Sequence, residues 1–109
     1  MDDIKYRLRY LPRFYDDLEE KAVYIAEELG NPQAANDLID EVEQAIMKRL
    51  PVAESFEPYF SLKERRDIYY RIYVQNFVVY YVVIDDEGPE KIMEVRRFLY
   101  NKQNTKKLL

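Results

Sequence analysis

Residues 65–83 read RRDIYYRIYVQNFVVYYVV, and this stretch decides the fold. β-branched and aromatic residues fill it on both sides of Gln75-Asn76, which predicts two strands, 68–74 and 77–84, joined by a tight turn. A two-residue hairpin loop pairs residues directly across the two strands. The predicted pairs on one face are Val74–Phe77, Ile72–Val79 and Tyr70–Tyr81, and those on the other face are Tyr73–Val78, Arg71–Tyr80 and Tyr69–Val82.

The chain before this hairpin begins with a third strand. Residues 4–10 alternate between apolar and basic side chains, which is typical of a half-buried strand with Lys5, Arg7 and Arg9 on its outward face.

Two helices follow, separated by Gly30, Asn31 and Pro32, a helix end, a cap and a first-turn residue. Apolar residues spaced by three and four mark their buried stripes. The first stripe is Leu11, Phe14, Leu18, Ala22, Ile25 and Leu29, and the second is Ala35, Leu38, Ile39, Val42, Ile46 and Leu50.

A last strand over 91–100 completes the set of elements. We therefore predict an α+β fold in one domain, 1–109. A mainly antiparallel, twisted sheet of four strands carries a two-helix hairpin packed on one face.

The composition limits which catalytic groups and metal ligands the chain can supply. The chain has no histidine and no cysteine, so the usual general base and zinc ligands are missing, and we expect neither a metal nor a cofactor. The longest apolar run, 77–84, is too short to cross a bilayer, and the acidic N-terminus does not resemble a signal peptide. We expect a cytoplasmic protein that does not enter the membrane.

The net charge is −4, and most of the acid lies on the helices. We predict a solvated outward surface, or a docking surface for a basic partner, formed by Asp16, Asp17, Glu19, Glu20, Glu27, Glu28, Asp37, Asp40, Glu41 and Glu43.

The second face of the hairpin carries tyrosine and arginine, and no third layer is predicted to bury it. Such a face can stack bases and hold phosphates, or it can anchor another protein. It can also be an open surface where arginines lie over tyrosine rings. Composition alone leaves all three interpretations open.

The order of elements resembles the RelE/ParE toxins of bacterial type II toxin–antitoxin modules. The residues that carry this resemblance are YYRIYVQNFVVYYVVIDD, 69–86, and IMEVRRFLYNK, 92–102. The resemblance implies a growth-inhibiting toxin, of the kind also associated with plasmid stabilisation, held inactive by a cognate antitoxin. Its target would be the ribosome with its mRNA, or DNA gyrase.

The same resemblance implies the site residues. For ribosome-dependent mRNA cleavage, Arg71, Arg97 and Tyr100 are the catalytic candidates, and Tyr73, Lys102 and Arg7 are the substrate-binding candidates. Val78 stands where nuclease members have an arginine, and valine cannot bind phosphate. The alternatives are a gyrase-binding inhibitor without chemistry of its own, and a non-toxic antitoxin-binding domain of the same fold.

Overall fold

The computed structural model describes residues 5–59, 68–86, 88–102 and 109. Four strands and two helices follow one another along the chain. The strands are β1 (Tyr6–Tyr10), β2 (Tyr69–Val74), β3 (Phe77–Ile84) and β4 (Lys91–Tyr100). The helices are α1 (Pro12–Val23), continued by a π-helix (Tyr24–Glu28), and α2 (Pro32–Arg49), continued by a 3-10 turn (Leu50–Val52).

The strands form one mixed sheet in the order β1-β4-β3-β2. The hairpin β2–β3 has every predicted pair, from Val74 opposite Phe77 to Tyr69 opposite Val82. β4 is antiparallel to β3, whereas β1 runs parallel to β4. The predicted α+β architecture is confirmed, with β1 as the parallel strand of an otherwise antiparallel sheet. Because β1 and β4 are parallel, the chain between them must make a long crossover. The two helices lie in this connection, between β1 and β2.

The junction between the helices has the predicted caps. Gly30 adopts φ 63°, the left-handed conformation that ends a helix. The Asn31 side chain then accepts a hydrogen bond from the Ala34 backbone N–H at 3.1 Å, and Pro32 occupies the first turn of α2.

The π-helix changes the predicted stripe of the first helix. Leu29 donates its backbone N–H to the Tyr24 carbonyl, five residues back, so this turn holds more residues than an α-helical turn. The apolar spacing therefore falls out of phase. Leu29 is 60% exposed, and its predicted place in the core is wrong.

Both faces of the sheet are packed. The face toward the helices holds the larger cluster, in which Leu38, Val42 and Ile46 of α2 meet Val79 and Tyr81 of β3. A second cluster lies on the opposite face, which we call the outer face. It contains Tyr69, Val78, Tyr80, Val82 and Leu99, with Tyr59, Ile84 and Leu109 packed against it.

The sequence predicted that no third layer would bury the outer face, and for part of this face the prediction is wrong. Tyr69 and Tyr80 are buried, because the chain near Tyr59 forms an antiparallel bridge to Tyr69 and its ring covers this part of the sheet. Tyr73, nearer the hairpin turn, remains 61% exposed.

Within the described residues no helix is long and apolar enough to cross a membrane. The sequence after the last strand, NKQNTKKLL, is a short basic tail that could form a helical turn, and its residues 103–108 lie outside the described residues.

Candidate functional site

The register of the sheet places Arg71, Tyr80 and Arg97 in one row across β2, β3 and β4. Arg71 lies opposite Tyr80, and Tyr80 lies opposite Arg97. The row is on the outer face, since Tyr80 belongs to the outer cluster.

Arg71 is held by aromatic rings. Its guanidinium carbon lies 4.7 Å from the Tyr59 ring centroid and 5.7 Å from the Tyr73 ring centroid. Among the described residues no carboxylate forms an ion pair with it. A guanidinium carries five N–H donors, which suit an anion. Arg71, a catalytic candidate, and Tyr73, a substrate-binding candidate, are therefore neighbours on this face.

Tyr80 forms the floor beside Arg71. Its ring lies edge-on to those of Tyr59 and Tyr69, at centroid distances of 6.0 and 6.4 Å. Burial, followed by the neighbouring Tyr59, raises the pKa of Tyr80 to about 12, so the phenol stays neutral at physiological pH. A neutral, buried phenol at this place supports the rings around Arg71 and is not a candidate base.

A second group of charges lies further along the outer face. Buried Glu94 accepts hydrogen bonds from Arg9 and, at 2.8 Å, from Arg96 Nε. Burial raises the pKa of Glu94, but the two arginines outweigh it, and the pKa lies below its usual range. Arg96 also donates to the Tyr69 hydroxyl at 3.3 Å. The predicted outward basic face of β1 is thus partly neutralised by Glu94.

Arg97 is engaged by an acid from α1. Its Nε and Nη2 donate to the Asp17 carboxylate at 2.7 and 3.0 Å, and the same carboxylate accepts the Phe98 backbone N–H at 3.0 Å. β1 ends at Tyr10, opposite Val95, so Asp17 replaces the missing strand as the acceptor at this edge. Asp17 was predicted on the outward helix surface; this is wrong, because only 5% of it is exposed.

A bulge in β4 explains where the last candidates lie. The pairing shifts between Tyr80 and Tyr81, so Arg97 and Leu99 lie on the outer face while Phe98 and Tyr100 lie toward the helices. Tyr100 packs edge-on against Phe77, with ring centroids 5.9 Å apart. Tyr100 and Arg71 are therefore on opposite faces of the sheet.

The two remaining candidates are at the surface. Arg7 is exposed on β1, and Lys102 is exposed in the turn after β4. Of the six predicted site residues, the structure brings Arg71 and Tyr73 into contact, sets Arg97 in the row of Arg71, and places Tyr100 on the opposite face. The catalytic roles of Arg71, Arg97 and Tyr100 stay predictions.

Several residues that shape the outer face escape sequence reasoning. Tyr59 and Asp17 reach the sheet from distant parts of the chain, and no local pattern marks them. Glu94 carried a weak signal, as the only acid inside the predicted last strand. No group of acidic side chains suited to a metal ion occurs in the described part of the chain.

A scan of the sequence against protein-family models gives no match, and a search of curated proteins gives none either.

Proposed function

We propose that this protein is the cytoplasmic toxin of a type II toxin–antitoxin pair, and that it inhibits growth by binding its target without cleaving RNA. The proposal joins the resemblance of residues 69–86 and 92–102 to RelE/ParE toxins with the geometry of the outer face.

The observation that carries the binding mode is the separation of Arg71 from Tyr100. Cleavage of RNA next to a 2′-hydroxyl needs a base, an acid and a cation around one phosphate. Arg71 lies on the outer face, Tyr100 lies toward the helices, and Asp17 holds Arg97. Val78 is buried in the outer cluster, where a nuclease would need a phosphate-binding side chain. A set of this kind can bind an anionic or aromatic surface but lacks convergent proton-transfer groups.

Inhibition by binding, without RNA cleavage, favours DNA gyrase as the target, and the ribosome is the alternative target. The chain is acidic overall, with a net charge of −4. A ribosome binder gains affinity from many neutralised phosphates. Among the described cations of the outer face, Arg9 and Arg96 pair with Glu94, and Arg97 pairs with Asp17. A protein target needs only an aromatic anchor such as exposed Tyr73 beside one arginine.

Controlled expression in bacteria without an antitoxin tests the proposal. We expect growth arrest, with DNA synthesis failing before protein synthesis in pulse-labelled cells. Purified protein should then inhibit gyrase supercoiling and leave mRNA intact in a translation extract. The Tyr73→Ala variant should lose most of the inhibition, because it removes an exposed ring beside Arg71.

The matched control is Tyr15→Ala, since Tyr15 is similarly exposed, at 54% against 61%, but lies on α1. Its inhibition should equal that of the original protein. Early loss of protein synthesis with mapped mRNA cuts would overturn the binding mode. Normal growth with a soluble, folded protein would overturn the toxin itself and leave the non-toxic antitoxin-binding domain.

A further inference from the structure

A groove of about 660 Å³ lies at the turn end of the sheet, on the side of the helices and away from Arg71. Its volume is in the range of sites that bury a ligand or a side-chain anchor. Its walls come from the end of the first helix, the β2–β3 turn and the end of β4, and they consist of Glu20, Lys21, Tyr24, Leu29, Asn76, Phe77 and Tyr100.

The apolar walls of this end groove are unusually exposed. Tyr24 is 55% exposed, Leu29 60% and Tyr100 38%, and they surround the half-buried Phe77. Tyr24 and Leu29 stand at the two ends of the π-helix, whose wide turn takes Leu29 out of the core. π-helical turns occur frequently at functional sites. The local irregularity therefore creates an apolar surface instead of burying one.

A second irregularity borders the same groove. Gln75 adopts φ 55°, a left-handed conformation that non-glycine residues rarely take, at the turn that presents Asn76. The Gln75 side chain donates to Glu41 of α2 at 2.8 Å, which fixes the turn against the helices. This hydrogen bond thus ties the turn that forms one wall of the groove to α2.

The polar groups of the groove indicate which polar groups a ligand should carry. The Lys21 side chain is only 11% exposed, yet its ammonium has just the Glu20 carboxylate at 3.7 Å and no hydrogen bond to a described residue. An ammonium on a largely covered side chain is stabilised by hydrogen-bond acceptors, and a peptide carbonyl can supply one. Glu20 itself is 77% exposed at the rim and can pair with an incoming cation.

The charge of the surrounding surface selects against anions. Exposed acids flank the groove on the first helix, at Glu19, Glu27 and Glu28. This surface repels a nucleic acid strand and attracts a cationic segment.

We propose that the end groove is a docking site for a peptide segment of a partner protein that carries one large apolar side chain next to lysine or arginine. The apolar side chain packs among Tyr24, Phe77 and Tyr100, a backbone carbonyl accepts from Lys21, and the basic side chain pairs with Glu20. The inference does not rest on growth inhibition, because the groove is on the face opposite Arg71.

Titration of the ¹⁵N-labelled protein with short peptides tests the proposal. The probe is the acetylated, amidated peptide Gly-Lys-Phe-Lys-Gly, with two comparison peptides in which glutamate replaces both lysines or glycine replaces phenylalanine. We expect saturable shifts of the Lys21, Tyr24, Asn76 and Tyr100 amides. Replacing lysine by glutamate should weaken binding about fivefold or more, and removing the phenyl ring should weaken it about tenfold.

Variants of the protein complete the test. Tyr24→Ala should weaken binding about tenfold, and Lys21→Met, which keeps the packed stem, about threefold. Tyr15→Ala is the control, because Tyr15 is as exposed as Tyr24, at 54% against 55%, on the same helix outside the groove. Its binding should not change.

Three results would overturn the proposal. One is equal binding of the lysine and glutamate peptides. Another is unchanged binding by Tyr24→Ala. The third is a shift of the same amides on simple dilution, which would assign the groove to a second copy of the chain.

Discussion

Three arginines at or near the sheet have three different kinds of partner. Arg71 lies over the rings of Tyr59 and Tyr73, and Arg97 is bound by Asp17. Arg49 of α2 donates to the Tyr81 hydroxyl at 2.9 Å and to the Arg71 carbonyl at 3.1 Å. Their sequence contexts do not distinguish them, because each has a partner that comes from another part of the chain. Substitutions at these three positions are therefore expected to differ in their effect on the free energy of unfolding.

We expect Arg97→Ala to destabilise the protein by about 3 kcal/mol, because it leaves Asp17 buried without its cation. Urea unfolding at neutral pH measures this. The double variant Asp17→Ala/Arg97→Ala should lose clearly less than the sum of the single losses, since the two side chains act as a pair.

Arg13→Ala serves as the control, because Arg13 is exposed on α1, and it should change the free energy of unfolding by less than about 0.5 kcal/mol. If Arg97→Ala behaves like this control, Arg97 is not structural and its predicted catalytic role gains weight.

The Tyr6 hydroxyl should lose its proton at a higher pH than an ordinary tyrosine does. Burial, and then the hydrogen bond that its hydroxyl donates to Glu54 at 2.9 Å, raise its pKa to about 12. Because the folded pKa is the higher one, the stabilisation is complete below about pH 10 and is lost as the pH rises from about 10 to about 12.

The difference in alkaline absorbance titration between the original protein and Tyr6→Phe isolates this group. Glu54→Gln should lower the pKa of Tyr6, since it removes the charge that opposes the phenolate, while burial keeps the pKa above its ordinary value. Glu57→Gln, an exposed neighbour, should leave the titration unchanged. A Tyr6 that titrates normally in the original protein would contradict the geometry at Glu54.

At the scale of elements, the end of the first helix shows which features the local sequence encodes and which it does not. The Gly30-Asn31-Pro32 junction is encoded locally, and each residue does what its type favours. The π-helix just before it is not visible in the sequence, because its apolar spacing also fits an α-helix. The π-helix contacts α2, and such a contact between distant residues is not recorded in the spacing of apolar residues.

We expect Gly30→Ala to destabilise the protein by about 1 kcal/mol, because alanine is strained in the left-handed conformation. Nothing lies within 4 Å of the added methyl group, so the loss reports backbone strain alone. Thermal unfolding measures it.

The chain's other glycine supplies the comparison. Gly88 does not have a positive φ, and a methyl group there would meet the Asp86 side chain at 3.1 Å, an exposed group that can move. Gly88→Ala should therefore cost less than Gly30→Ala. The reverse order would argue against the left-handed helix end.

For the whole molecule, the main consequence of the structure is a sheet packed on both faces. The helices cover one face, and the segment at Tyr59 together with Leu109 covers part of the other. Arg71 and Tyr73 lie beside this covered part, so the proposed contact surface is next to a buried cluster of side chains.

Val82→Ala tests the two-sided packing. Val82 of the outer cluster and Val42 of the helix-side core are both fully buried. We expect each alanine variant to lose about 2 kcal/mol, from lost burial and the remaining cavity. Urea unfolding compares the two. A loss of less than about 0.5 kcal/mol for Val82→Ala, with a normal loss for Val42→Ala, would mean that the outer face is open.

The sequence by itself determined the elements and the hairpin. Alternation in β1, the apolar stripe of α2, the caps at 30–32 and every pair of β2 with β3 follow from local periodicity and turn chemistry. Periodicity works there because each of these features depends on residues close together in the chain.

Tertiary structure alone decided which candidate residues share a face. The bulge at Tyr80/Tyr81 changes the side of Leu99 and Tyr100, and the parallel pairing of β1 leaves an edge that Asp17 fills from α1. Tyr59 covers Tyr80 from a segment with no regular period. These placements depend on contacts between residues far apart in sequence, where no spacing rule applies.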